Sequence, residues 1–261
     1  MTARQHEEPP AGIFEESESV SDPIFILHQG LLREAPGSDA TTLRALTLSG
    51  VSGPARIADM GCGPGAATMV TLRALPEAQV IAVDHHAPYL DTLEHRAHAA
   101  GLARRLQTRV ADMRTPGFAN GTLDLILCEG AMYFLGIEAG LRAWRPLLAQ
   151  GGRAVFSEVV WIKRTVPEEA RLFWMEYPEM TNRDGVRARV AAAGWRVIDD
   201  FVQPKEDWEA YLGPLGARAD ALRPEADETL RGVLDGARQE VELFERHSDA
   251  YAYAVFVVEP T

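Results

Sequence analysis

The sequence predicts an α/β fold, a doubly wound and mostly parallel sheet with helices on both faces. Three observations carry this. A short run, ARIADM (55–60), passes into a turn with Gly61, Gly63 and Gly65, then into the helix-like AATMVTLRAL (66–75). That is how such sheets build a ligand site. Further apolar runs, QVIAVD (79–84) and LDLILC (123–128), are separated by segments of helical character. LDLILC is almost continuously apolar, as a strand buried on both faces should be.

The elements follow in order. Residues 1–20 hold Pro9, Pro10 and five glutamates with few large apolar groups, and read as a mobile tail. Residues 21–50 place apolar residues at helical spacing, broken by APGSD, with Ser38 or Asp39 suited to cap the second helix. The first strand is 55–60, its helix 65–75, and the second strand 79–84. A helix over 88–101 stops at Gly101, a third strand covers 105–111, and the fourth covers 123–128. Residues 138–149 read as a helix stopped by Gly151–Gly152, and strand five runs roughly over 152–160. An insertion at about 161–183 leads to a helix at 184–193 and a strand at 195–203. Helical stretches at 205–213 and 224–247 precede a last strand at 251–260. The arrangement is one Rossmann-like domain over 51–261, with acceptor-side elements at about 204–247.

The glycine turn alone also satisfies a loose dinucleotide fingerprint. Asp59 sharpens the reading, because a carboxylate beside the loop repels a pyrophosphate and suits a ligand bearing an ammonium group. S-adenosylmethionine is such a ligand. No G-x-x-x-x-G-K-[ST] occurs, which excludes a phosphate-cradling P-loop. Asp84 ends the second strand 19 positions after Gly65, where a carboxylate reaches ribose hydroxyls. His85 and His86 follow it, and one of them can lie beside the ribose. Glu129 and Tyr133 stand at the carboxyl end of strand four, where parallel sheets open their ligand crevice.

Asp-Met-Gly-Cys-Gly-Pro-Gly resembles motif I of the class I S-adenosylmethionine-dependent methyltransferases, of pattern D/E-x-G-x-G-x-G. The likeness spans roughly residues 33–203 and is strongest to bacterial small-molecule enzymes. It is carried by APGS (35–38), CEGAMY (128–133), SEVVW (157–161) and FWMEYP (173–178). It implies a seven-stranded sheet of order 3-2-1-4-5-7-6 with strand seven antiparallel. It also implies S-adenosyl-L-methionine as cofactor, S-adenosyl-L-homocysteine as product, and a helical lid over the cofactor at 21–50. The cofactor-binding residues then are Asp59, Gly61, Cys62, Gly63, Gly65, Asp84, His85 and Glu129, with Ala111, Asp112 and Met113 at the adenine.

Methyl transfer from a sulfonium is an in-line displacement that needs alignment and exclusion of water. A base is needed only for a protonated acceptor. Glu129, Tyr133 and His28 are the catalytic candidates, Glu129 having cofactor or amine binding as its alternative role. Tyr133, Trp161, Trp174 and Tyr177 are the acceptor-side candidates, with core packing as the plainer role of the aromatics. Glu158 reads equally well as a structural acid paired with an arginine. No metal-ligand spacing is present. Cys62 and Cys128 end neighbouring strands and are expected near each other, which raises a redox switch as a hypothesis.

A net charge of −12 disfavours nucleic acid as a partner, and a small-molecule acceptor is the leading reading. No secretory signal and no membrane-length apolar run are visible, so the expected compartment is the cytoplasm, with reduced thiols. A homo-oligomer stays open. Two other functions compete: a non-catalytic S-adenosylmethionine-binding protein, and a nucleotide-dependent oxidoreductase, against which Asp59 and the lack of any Tyr-x-x-x-Lys argue.

Overall fold

The structure, a computed structural model, describes residues 22–261. The tail expected over 1–20 lies outside them. The chain runs α1 (Pro23–His28), α2 (Asp39–Ser49), β1 (Arg56–Met60), α3 (Ala66–Ala74), β2 (Gln79–Asp84), α4 (Ala87–Ala99), β3 (Leu106–Val110) and β4 (Leu123–Cys128). It continues α5 (Ile137–Trp144), β5 (Leu148–Trp161), α6 (Glu168–Phe173), β6 (Thr181–Asn182), α7 (Arg183–Ala192), β7 (Trp195–Val202), α8 (Lys205–Leu222), α9 (Glu228–His247) and β8 (Tyr251–Pro260).

The sheet order is β3-β2-β1-β4-β5-β8-β7. It is the expected order once the two-residue β6, which pairs parallel with the end of β5, is counted. β8 is antiparallel to both β5 and β7. Alternation along each strand divides the core. Ile81, Val83, Ile126, Cys128 and Phe156 face Trp144 of α5 and Val186 and Val190 of α7. Val80, Leu125, Leu127 and Val155 face the opposite side, against Ala45 and Leu46 of α2 and Leu72 of α3. A third cluster packs α8 and α9 against the carboxyl end of β5 and the amino end of β8 through Trp208, Tyr211, Leu215 and Phe244.

Two expected boundaries moved. Gly151 and Gly152 do not stop a helix: α5 already ends at Trp144, and both glycines lie inside β5. There the pairing slips from Leu123↔Leu148 to Leu125↔Arg153. A Cβ on Gly152 would sit 2.9 Å from the Leu123 carbonyl, so only glycine lets the strands close over this irregularity. Second, the helix read over 205–213 continues to Leu222 through Pro214. Trp208, Tyr211, Leu212, Leu215 and Ala219 form one buried stripe along it, and its packing outweighs the cost of an interior proline.

α2 belongs to the helical layer on the sheet. Ser38 caps it, its Oγ accepting from the Thr41 N–H at 3.2 Å, a contact typical of helix starts and contributing about 1 kcal/mol. The stretch 29–38 between α1 and α2 is the part that overlies the glycine turn, as its contacts show next.

Candidate active site

The site is assembled at the carboxyl ends of β1, β2, β4 and β5. The turn after β1 is pinned to β2 because the N–H groups of Gly61 and Cys62 both donate to the Val83 carbonyl, at 2.9 and 3.0 Å. Gly63 has φ +52 and its N–H donates to Asp84 Oδ2 at 2.8 Å. A Cβ on Gly65 would come within 2.2 Å of Leu93 Cδ1, so glycine is what lets α3 start against α4. Asp84 also takes the His86 N–H on Oδ1 at 2.9 Å. Its carboxylate is thereby fixed at the end of β2.

Asp59 is 1% exposed, and its Oδ2 accepts from Thr68 Oγ1 at 2.5 Å. Burial pushes its pKa up to about 7, against the pull of the Thr68 hydrogen bond. Asp59 therefore ties the turn to α3 from beneath. His85 is largely exposed, with Nδ1 3.6 Å from Asp84 Oδ1. The buried histidine is His86, stacked on Phe25 of α1 with centroids 3.5 Å apart. The Ala111 N–H donates to the Asp84 carbonyl at 3.0 Å. Asp112 is half-exposed and holds the Arg114 N–H at 2.7 Å. Met113 lies beside the turn, its Sδ 3.6 Å from where a Gly61 Cβ would be.

The strap 29–38 closes over this floor. Glu34 packs on Gly63, its Cγ 3.0 Å from a notional Cβ there. It accepts from Tyr89 Oη at 2.7 Å and pairs with His28 Nδ1. Ala35 meets Gly130 so closely that a Cβ on that glycine would lie 2.2 Å away. Arg33 donates from Nη1 to Glu129 Oε2 at 3.4 Å, and Thr42 Oγ1 donates to the same oxygen at 3.1 Å. Burial raises the Glu129 pKa, and Arg33 and Thr42 offset part of the rise. Arg33 Nη2, Glu34 Oε1 and Glu129 Oε1 are buried with no hydrogen-bond partner among the described residues.

On the other side of Glu129, Tyr133 meets Tyr177 edge-on at 6.1 Å. Trp161 and Trp174 both meet Tyr251, at 6.4 and 5.3 Å. Tyr133 is 41% exposed, yet desolvation is the main force raising its phenol pKa. Glu158 has no arginine bound to it; its Oε1 takes the Val159 N–H at 3.0 Å and burial pushes its pKa up to about 7. Cys62 and Cys128 are not a pair. They point into cores on opposite faces of the sheet, and burial pushes both thiols well above their usual range.

Arg33, Glu34, Thr42, Thr68 and Tyr89 were not legible from the chain as site residues. Arg33 and Glu34 adjoin the APGS turn, the one signal that pointed to them. Among the described residues, no group of three or more His, Cys, Asp or Glu is placed to hold a metal, and no helix is long and apolar enough to cross a membrane.

Comparison with known proteins bears on this arrangement. The family described as Methyltransferase domain matches residues 57–152, which is the stretch from β1 to the glycines inside β5. The chain is 35% identical over 104 residues to trans-aconitate 2-methyltransferase of Streptomyces avermitilis, covering 40% of this chain and 38% of that one. It is 30% identical over 110 residues to ribosomal RNA large subunit methyltransferase G of Pseudomonas aeruginosa, covering 42% and 29%. The matched segment thus spans about a third of the length of these relatives. An S-adenosylmethionine-dependent methyltransferase of Geobacter sulfurreducens, crystallised with S-adenosyl-L-homocysteine, superposes with a TM-score of 0.78 at 18% identity, over 91% of this chain and 98% of that one. The fold is that of the class I, Rossmann-like methyltransferases, and residues 57–152 are the part that matches the methyltransferase domain family.

Proposed function

We propose that the protein transfers the methyl group of S-adenosyl-L-methionine to a small-molecule acceptor in the cytoplasm, leaving S-adenosyl-L-homocysteine. The observation that carries this is the charge of the cradle. Glu34, Asp84 and Glu129 surround the glycine turn together with one arginine, Arg33, while Asp59 lies beneath it. Such a set repels a pyrophosphate and suits a cationic nucleoside bearing an amino acid. The unpartnered carboxylate oxygens of Glu34 and Glu129 fit the cationic part of that ligand, and Arg33 Nη2, 3.5 Å from Asp39 Oδ1, adjoins them. Asp84 would hold the ribose hydroxyls, Glu129 the α-ammonium and Arg33 the α-carboxylate, while Met113 would lie against the adenine.

The cofactor supplies a methyl group on a positively charged sulfur, already electrophilic without a metal. The chain has to align and to dry the site. The strap seals one side through Glu34 on Gly63 and Ala35 on Gly130, and water kept out strengthens every charge interaction inside. Glu129 is engaged by Arg33 and Thr42, which favours a binding role for it over that of a base. The small-molecule reading is supported by the net charge of −12 and by the likeness to the trans-aconitate enzyme. Incubation with methyl-labelled S-adenosylmethionine and a bacterial extract, split into small-molecule and macromolecular fractions, tests it. Label is expected in the small molecules; label confined to RNA or protein would overturn the acceptor class.

A further inference from the structure

Beyond the matched segment, α8 sends one acid back onto the strap and the first turn of α2. Asp207 lies in the first turn of α8 and is 2% exposed. Its Oδ2 accepts from Thr41 Oγ1 at 2.5 Å, across 166 positions of sequence. Its main-chain carbonyl accepts from the Gly37 N–H at 3.3 Å. Thr41 Oγ1 also accepts from Ser38 Oγ at 3.3 Å, and Ser38 Oγ accepts from the Thr41 N–H. The hydroxyl protons therefore point one way, from Ser38 through Thr41, and end on a carboxylate. A buried chain of this kind holds its members in place.

Both residues that Asp207 holds adjoin the ion pair of the cradle. Thr41 precedes Thr42, which is fully buried and donates to Glu129 Oε2 at 3.1 Å. Gly37 backs the Arg33 guanidinium: a Cβ there would stand 2.9 Å from Arg33 Nη1 and 3.8 Å from Glu129 Oε2. Arg33 Nη1 reaches that same oxygen at 3.4 Å, beyond the usual N–H···O range, so a small shift of the strap opens or closes the contact. The charge of Asp207 is felt at Glu129, adding to the larger effect of burial. One residue on, Trp208 packs on Phe244 and Tyr251 with centroids 5.1 and 5.4 Å away. Asp207 is thus anchored from behind by the aromatic cluster and acts as a fixed post for the strap.

Resting on the methyl-transfer reading, we propose that Asp207 is a positioning residue of the cofactor site. By holding Thr41 and Gly37 it sets the Arg33–Glu129 pair at the spacing that receives the α-carboxylate and α-ammonium of S-adenosyl-L-methionine. It acts through these residues and touches neither the cofactor nor the reacting atoms. Its effect falls on the amino-acid end of the ligand, because the ribose and adenine would meet Asp84 and Met113, on other elements.

The test measures two ligands on the full chain by calorimetry, S-adenosyl-L-homocysteine and methylthioadenosine. The second keeps the nucleoside and the thioether and lacks the α-amino acid. The wild type is expected to prefer the homocysteine nucleoside by about a hundredfold, the scale of two charge-assisted contacts. Thr41→Val keeps the shape and removes the hydroxyl; it should cut that preference about tenfold while methylthioadenosine affinity holds. Thr41→Ser returns the hydroxyl and should return the preference. Asp207→Leu should behave as Thr41→Val does; thermal unfolding checks that each variant folds, and either one decides the matter if the other does not. An unchanged preference overturns the positioning role. So do equal losses for both ligands, which mark a general loosening of the fold. Equal binding of the two ligands by the wild type removes the amino-acid end from Arg33 and Glu129 and overturns the role as well. Failure of the wild type to bind either ligand overturns the methyl-transfer reading itself and the role of Asp207 with it.

Discussion

At the scale of single residues, the two aspartates of the cradle carry different work. Asp84 already organises two N–H groups, from Gly63 and His86, and in the proposed function its remaining lone pairs would take a ribose. Asp84→Ala is expected to weaken S-adenosyl-L-homocysteine binding by about 1–3 kcal/mol in calorimetry, the loss of charge-assisted hydrogen bonds. Equal affinity would show that the ribose lies elsewhere. Asp59 acts through the fold instead. Its pKa is raised from 3.8 to about 7, chiefly by burial. The native state then keeps a proton that the unfolded chain releases, so this contribution is present at low pH and is lost as pH rises through about 7. Asp59→Asn removes that dependence. Its stability relative to wild type in urea should rise between about pH 4 and pH 7, by an amount on the order of 1–4 kcal/mol, and level off above. Taking the difference between the two proteins cancels Glu158 and Glu240, whose shifts run the same way. A difference that does not change with pH would refute the buried, protonated assignment.

At the scale of elements, the strap 29–38 is the part that makes the cradle a closed site, and its seat is Gly130. That residue has φ +73, and an added Cβ would collide with Ala35. Gly130→Ala should therefore lift the strap, cost about 1–3 kcal/mol, and speed amide exchange over residues 30–38 relative to the core strands. Gly53→Ala is the control: its φ is +66 but nothing lies within 4 Å, so it carries the backbone strain alone. Equal exchange in the two variants would mean that the strap is not held there. The strap also shows where the sequence stops speaking. β1, β2, β4 and their glycine turn were readable because their residues are contiguous and their apolar pattern is repetitive. Glu129 was readable as an acid at a strand end, but its partners Arg33 and Thr42 lie 96 and 87 positions away, and no local spacing encodes that meeting. The separation of Cys62 from Cys128 comes from the glycine turn: β1 ends at Met60, and Gly61 at φ +66 turns the chain so that Cys62 enters the cluster beneath α3 and α4 while Cys128 stays in the core on the other face.

At the scale of the whole molecule, charge bears most directly on what the enzyme meets. The relatives diverge, one named for a small organic acid and one for ribosomal RNA, and the shared segment concerns the cofactor half, which does not choose an acceptor. The whole protein carries a net charge of −12. An RNA enzyme needs cations that displace counterions from phosphates, and its affinity falls steeply with salt as a result. Many arginines here are spent internally: Arg105 on three backbone carbonyls, Arg145 on two, Arg218 on two, and Arg187 and Arg189 on carboxylates. The protein is therefore expected to retain no structured or single-stranded RNA in a filter-binding assay even at about 50 mM salt, where phosphate-driven binding is strong. Saturable retention at that ionic strength, with a slope in log salt of several units, would reveal a basic track and move the acceptor to nucleic acid. Absence of retention, together with labelled small-molecule product, would keep the acceptor a small molecule and place its choice in the part of the chain beyond the matched segment 57–152.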